Sequence, residues 1–305
     1  MRETALAPAC RASLCASPSR PIAFDLRGRT AVLATLHGKA RAIAPPLRRR
    51  LGVNVETLTT VDTDRFGTFT GGVARKGSQL DAARAKIEAA FVAAPGARVA
   101  LASEGSFGPH PYVPFALLGR EIVVLSDRET GLELIGHDAT LGPRFTHAVV
   151  DRPREALMFA RRVAFPTQGV VVMARGSERG DPERFFCKSA ETEATLAAAV
   201  KEAVALCGSA HLETDMRAHR NPTRMRAIRR ASADLVRSAL SLCPACGRPG
   251  FVVRERLRGV PCGWCGSPTE EVRAEVRTCV GCDHRLETAV GAETGDPGRC
   301  GFCNP

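Results

Sequence analysis

The stretch TAVLATLHGKARAIAPPLRRRLGVNVETL, residues 30–58, decides the architecture of the N-terminal two thirds of the chain. Thr30–Thr35 is a short, almost wholly apolar run, the pattern of a buried strand. A glycine-containing loop, Leu36–Lys39, follows it. Ile43–Leu51 fits a helix, with Pro45 and Pro46 expected in its first turn, where a missing N–H is tolerated. Val53–Leu58 reads as a second strand. Strand, loop, helix and strand in that order are the signature of an α/β fold.

The same alternation continues outward. Residues 60–78 read as an extended loop or hairpin. Ser78 caps a helix expected over Gln79–Ala93. Ala97–Ala102 is a strand running into a loop, SEGSFGPHPYVP. Glu121–Leu125 and Leu132–Gly136 flank SDRETG, a hairpin with Gly131 at its turn. Phe145–Val150, Pro153–Val163 and Gly169–Met173 form a further β-α-β unit, with an edge strand expected near Arg184–Lys188. A helix over Glu191–Leu206, a strand over Ala210–Thr214 and an Arg-rich helix over Thr223–Leu242 complete the α/β domain. Residues 1–28 carry neither hydrophobic periodicity nor an apolar signal core, and are expected to be unstructured. The expected organisation is an extension at 1–28, an α/β domain at 29–242 and a cysteine-rich module at 243–305.

That module holds eight of the twelve cysteines, in four C-x-x-C pairs: Cys243/Cys246, Cys262/Cys265, Cys279/Cys282 and Cys300/Cys303. Each pair supplies two thiolates from one tight turn, and two pairs complete a tetrahedral site. Disulfides would need an oxidising compartment, and a redox C-x-x-C would not recur four times in series. The module therefore reads as a double zinc ribbon with two structural Zn2+ ions. Four thiolates leave no position open for catalysis. The intervals between pairs are 15, 13 and 17 residues, each long enough for a hairpin. Sequential pairing, first with second and third with fourth, closes the shortest loops and is the expectation. Nested pairing is the alternative. Cys187 and Cys207 lie in apolar surroundings and are expected to be buried packing residues.

The formal charge of +11 suggests nucleic acid, but only five of the 43 basic residues are lysine, a bias that GC-rich coding alone produces. Eight thiolates and two Zn2+ bring the net charge down to about +7. From Cys243 to Pro305 there are eight arginines and eight acids, so the metallated ribbon is anionic and a poor surface for nucleic acid. No run of 18 apolar residues exists, which argues against a membrane span. Reduced cysteines without a secretion signal point to the cytoplasm.

Taken together, LATLHGK, FGTFTGGVARKGSQLDAARAK, ASEGSFGPHP, ETDMRAHRNPTRM and the knuckles ending CGFCNP resemble an uncharacterised bacterial family, a domain of unknown function with a C-terminal zinc ribbon. That resemblance implies no reaction. The N-terminal part is also similar to the inosine/xanthosine triphosphate pyrophosphatase superfamily. The likeness implies triphosphate binding by the first loop, through Thr35 and Lys39, with Lys86 on a later helix and Glu104 as a Mg2+ ligand. His37 stands where that superfamily has asparagine, and the spacing to Lys39 is one residue shorter.

Three segments carry candidate chemistry. In the first loop, backbone N–H groups before a helix suit an anion, with His37, Lys39 and Arg41 adding charge. In SEGSFGPHP, Glu104 is a candidate general base or Mg2+ ligand and His110 a candidate acid or ligand. In ETDMRAHRNPTRM, Asp215 would handle metal or protons, while Arg217 and Arg220 would clamp a phosphate or carboxylate. Asn221 and Pro222 suit a helix start. Arg226, Arg229, Arg230 and Arg237 form a possible RNA stripe, and FGTF with Arg75 and Lys76 a possible phosphate-contacting hairpin. The expectation is an enzyme acting on a phosphorylated or nucleotide-like small anion, such as a Mg2+-dependent phosphohydrolase. The alternative is a non-catalytic adaptor binding RNA or protein.

Overall fold

A computed structural model describes residues 25–63, 66, 77–143, 145–174 and 185–305. Most of the expected extension, and all of the FGTF hairpin but Phe66, with Arg75 and Lys76, lie outside the described residues. The described chain divides into two compact units, Asp25–Ser241 and Leu242–Pro305. It is a mixed α/β protein with a cysteine-rich C-terminal unit, and no described helix is long and apolar enough to cross a membrane.

The first sheet is built from β1 (Thr30–Ala34), β2 (Asn54–Leu58), β3 (Val99–Pro109), β4 (Leu117–Asp127) and β5 (Leu132–Leu141). Their order is β2-β1-β3-β4-β5. β1 runs parallel to both neighbours, while β3, β4 and β5 form an antiparallel meander. Helix α1 (Ala40–Leu51) links β1 to β2, and α2 (Gln79–Ala93) precedes β3. The Ser78–Asp81 capping box starts α2, as expected from its serine. Ala83, Ile87 and Ala90 of α2 then pack on Val32, Ala100 and Val124 of the sheet.

Two local expectations are corrected. α1 starts at Ala40, three residues earlier than expected, so Pro45 and Pro46 sit inside it and not in its first turn. Each withholds one N–H from the carbonyl four residues back, and burial of Ala42, Ile43, Leu47 and Leu51 holds the helix nonetheless. SEGSFGP is not a loop. It is the second half of β3, paired with β4 without a break from Val99↔Asp127 to Pro109↔Leu117. A full ladder with β4 outweighs the turn preference of Gly105 and Gly108.

The second sheet has the order β6-β9-β7-β8. Its strands are β6 (His147–Val150), β7 (Val170–Ala174), β8 (Phe186–Cys187) and β9 (Ala210–Thr214). β9 is antiparallel to both β6 and β7, so the crossover through α3 (Pro153–Val163) leaves room for it between them. α3 and α4 (Glu193–Cys207) cover one face, burying Phe159, Leu196 and Val200 against Val170, Val172 and Leu212. Cys187 and Cys207 are only partly buried at the margin of this core. α5 (Pro222–Leu240) returns to the first sheet. It approaches β5 so closely that a Cβ on Gly136 would lie 2.1 Å from the Ala231 carbonyl oxygen, which leaves room for glycine alone.

In the C-terminal unit, β10 (Val252–Arg258), β11 (Val272–Thr278) and β12 (Arg285–Ala289) form an antiparallel meander.

Candidate functional site

The meander decides which knuckles meet. Each strand leads from one C-x-x-C turn to the next, and seven residues of strand span about 23 Å. Successive knuckles therefore fall at opposite ends of the sheet. Cys243, Cys246, Cys279 and Cys282 form one group, and Cys262, Cys265, Cys300 and Cys303 the other, each with its sulfurs within 4.8 Å of one another. This alternate pairing replaces both the sequential expectation and the nested alternative. All eight cysteines are free thiols. Between the two knuckles of each group the Sγ separations are 3.7 Å (Cys243–Cys282), 3.6 Å (Cys246–Cys279), 3.9 Å (Cys262–Cys303) and 3.7 Å (Cys265–Cys300). Tetrahedral coordination with a Zn–S bond of ~2.3 Å requires an S···S edge of about 3.8 Å. The two groups fit a metal ion each.

Glu104, expected on an exposed loop, is buried in β3. Its carboxylate forms an ion pair with the buried Lys86 of α2. Lys39 reaches the same place, donating from Nζ to the Ser103 carbonyl oxygen at 2.7 Å. A second buried pair lies beside them. Arg224 Nε of α5 is 2.6 Å from Glu121 Oε1 of β4, with the two side chains 3% and 1% exposed. Gly105 makes this possible, since a Cβ there would lie 2.6 Å from Arg224 Nη2 and 2.9 Å from Glu121 Oε1. The cluster holds three cations and two carboxylates. Burial, the largest effect, pushes the Lys39 ammonium down to about 8; Glu104 opposes the shift, while Lys86 and Arg224 add to it. With three cations around it, Glu104 does not fit a Mg2+ ion, whose ligands are oxygens facing an open or anionic site.

His110 is remote from this chemistry. It follows the end of β3, where its Nδ1 accepts from the Tyr112 N–H at 3.1 Å and its ring meets Tyr112 edge-on.

Of the remaining sequence candidates, His37, Arg217 and Arg220 meet at an open cleft of about 850 Å³. The loop after β1 brings His37, and the first turn of α1 brings Arg41. The segment after β8 contributes Lys188 and Glu191, and the segment after β9 contributes Arg217, His219 and Arg220, with Arg226 from α5. Among the described residues, five cations and two histidines thus face one carboxylate, where the carboxyl ends of β1 and β9 open, the usual ligand position in α/β folds. The His37 and His219 rings stack with centroids 5.2 Å apart and planes within 5°. Burial first, then Arg217, holds the His219 imidazole below its ordinary pKa. Lys39 is absent from the cleft wall, because its ammonium turns inward to Ser103.

Asp215 is 1% exposed and orients Arg217, accepting from Nη2 at 2.7 Å and Nε at 3.0 Å. Arg217 also donates to the Lys188 carbonyl at 2.6 Å, and Arg220 to the Ala190 carbonyl at 2.8 Å. Both arginines hold the 188–191 segment in place and keep further N–H groups for a ligand. Asn221 caps α5, accepting from the Arg224 N–H at 3.0 Å. Along α5 the proposed stripe is broken up. Arg230 binds Asp138 at 2.7 Å, Arg237 binds Asp234 at 2.8 Å, and Arg226 belongs to the cleft.

Sequence reasoning missed Lys188 and Glu191 of the cleft and Glu121 of the buried cluster. Glu121 carried a signal: a carboxylate opening the apolar run EIVVL demands a buried partner. Lys188 carried none.

No curated protein matches the chain. The family described as a domain of unknown function (DUF6671) matches residues 89–305, more than two thirds of the sequence, and includes both cysteine groups, Glu104, Asp215 and three of the four cleft arginines, Arg217, Arg220 and Arg226; the chain belongs to this family.

Proposed function

We propose that the α/β unit binds, and acts on, a small phosphorylated or nucleotide-like anion in the cleft at the ends of β1 and β9. One observation carries this reading: Arg41, Lys188, Arg217, Arg220 and Arg226 face the same opening, with Glu191 the lone carboxylate on its wall among the described residues. Convergent cations in a concave site favour an anionic ligand and raise its local concentration. The similarity of the first loop to triphosphate-binding loops points the same way, although here His37 and Arg41, not Lys39, line the cleft. His219, held neutral near pH 7, is the proton acceptor of this reading, with Asp215 fixing Arg217 against the ligand. The metal of both cysteine groups is zinc in this reading, serving as a staple in a reducing compartment. The α/β unit and the ribbon are taken as separate folding domains meeting near residue 242.

Isothermal titration of the full chain with pyrophosphate and with nucleoside mono- and triphosphates tests the cleft. A charge-assisted contact contributes about 1.5–3 kcal/mol, so Arg41→Ala and Arg226→Ala should each raise the dissociation constant roughly 10- to 150-fold. Wild-type protein that binds none of these anions would overturn the proposal. The adaptor reading, on RNA or protein, would then be preferred, although the ion pairs of Arg230 and Arg237 weigh against it.

A further inference from the structure

The two cysteine groups of the C-terminal unit differ in a way that metal binding does not explain. Each knuckle reads C-x-x-C, and the residue before its second cysteine lies in the turn. In the first group these residues are Ala245 and Gly281. In the second they are Trp264 and Phe302, which are 81% and 77% exposed. The first group gathers its sulfurs as closely with alanine and glycine, at 3.7 and 3.6 Å, so neither ring is required to shape a knuckle. One exposed apolar side chain is ordinary on any surface. Here the sole tryptophan of the chain and a phenylalanine occupy matching positions on two turns that share one metal site. Exposed apolar surface gathered in one place marks a contact site, and tryptophan is among the residues that dominate binding energy at interfaces.

The charge around them selects the partner. The loops at this end, 259–271 and 290–305, carry four carboxylates, Glu270, Glu271, Glu293 and Asp296, and a single arginine, Arg299. Arg258 and Arg273, where the strands meet these loops, are paired with Glu270 at 2.9 Å and with Glu287 at 3.3 Å. Glu293 and Asp296 are exposed. Four thiolates around a divalent ion add two further negative charges. Such a surface repels the phosphate backbone of nucleic acid, whose binding depends on neutralising cations. It attracts a cation, and a ring face exposed beside carboxylates holds a guanidinium by stacking and by ion pairing at once.

We infer that Trp264 and Phe302 form a docking surface for an arginine-bearing segment of a partner protein. Guanidinium planes stack on the two rings, while Glu293 and Asp296 pair with the same or neighbouring arginines. A metal ion bound by the second cysteine group would hold the two knuckles together, so its removal disperses the surface. The surface belongs to the C-terminal unit and is independent of the anion cleft of the α/β unit, whose cations would reject the same peptide.

Titration of the full, zinc-loaded chain with a short peptide of alternating glycine and arginine tests this. Binding is read from the anisotropy of a fluorescein-labelled peptide and, with unlabelled peptide, from the emission of Trp264, which no other tryptophan masks. Wild type should bind saturably, with the Trp264 emission quenched in step. Trp264→Ala and Phe302→Ala should each weaken binding about 2- to 30-fold, with metal content unchanged from wild type. Alanine already stands at the matching position of the first knuckle, so folding is not at stake. Glu293→Gln with Asp296→Asn should weaken binding and reduce its salt dependence. The lysine counterpart of the peptide should bind more weakly, because an ammonium cannot stack as a guanidinium does. A wild type that binds no peptide, equal affinity for the two peptides, full binding by Trp264→Ala, or Trp264 emission quenched by polyuridylate RNA instead, would overturn the assignment.

Discussion

Replacing Lys39 by methionine removes an ammonium held where burial disfavours its charge. Its pKa falls from 10.5 to about 8, mainly through burial. Between those values the unfolded chain keeps the lysine proton and the folded chain has released it. Stability then rises with pH by about 1.4 kcal/mol per unit, or about 3 kcal/mol across the window. Below pH 8 the lysine is charged in both states and contributes no slope. The benefit is complete above the unfolded value and is lost as pH falls through the folded one. Other groups also titrate at alkaline pH, so the quantity to follow is the difference between wild type and Lys39→Met. Urea unfolding of both proteins, monitored by the far-UV signal at half-unit steps from pH 7 to 10, yields it. The difference should be flat to about pH 8 and then grow in favour of wild type. Methionine keeps the apolar stem and loses the bond to the Ser103 carbonyl and the attraction of Glu104. Parallel curves across the whole range would refute the reasoning, because Lys39 would then titrate as an exposed lysine does.

Glu104→Gln should destabilise the α/β unit by about 3–5 kcal/mol in denaturant unfolding, because it leaves Lys86 charged and buried without its partner; an exposed loop carboxylate would show almost no loss. Gly105→Ala should cost roughly 1–3 kcal/mol by driving a Cβ into the Arg224–Glu121 pair, and a neutral result would mean that the pair moves aside freely. For the cysteine-rich C-terminal unit, elemental analysis of double serine variants separates the pairing schemes. Cys246→Ser with Cys282→Ser should lose one metal ion, whereas Cys246→Ser with Cys265→Ser should lose both, and sequential pairing requires the reverse.

Where a boundary is set by local chemistry, the sequence was enough. α2 starts at its serine cap, α3 at Pro153, and β9 covers Ala210–Thr214, all as expected, because each signal lies within a few residues of the feature it controls. β3 was cut short for the converse reason. Its glycines and prolines speak for a turn, and only the pairing with β4, set by distant residues, makes them a strand. Misreading that strand as a loop carried Glu104 to the surface with it. A clue lay in α2, whose buried positions Ala82, Ala83, Lys86, Ile87 and Ala90 place a lysine on the apolar stripe. A lysine there calls for a buried acid, which would have moved Glu104 inward. The cleft was half legible: strand ends pointed to His37, Arg217 and Arg220, but the direction of the Lys39 side chain depends on where β3 lies.

The knuckles show how correct local units can still be joined wrongly. Each C-x-x-C turn and each interval was identified, and loop closure favoured neighbouring pairs because their loops are short. That comparison treats the intervals as flexible chain. They are strands, and a stiff strand of seven residues holds its two ends about 23 Å apart, far beyond the reach of one tetrahedral site. Once each interval is a single strand, knuckles one and three must share an end, and two and four the other. Had each interval been a two-stranded hairpin, its ends would return together and sequential pairing would follow. The deciding quantity is thus the parity of strands between knuckles. It was open to inspection in VVRERLR and VRAEVRT, each an unbroken run of seven residues with no glycine or proline to turn the chain.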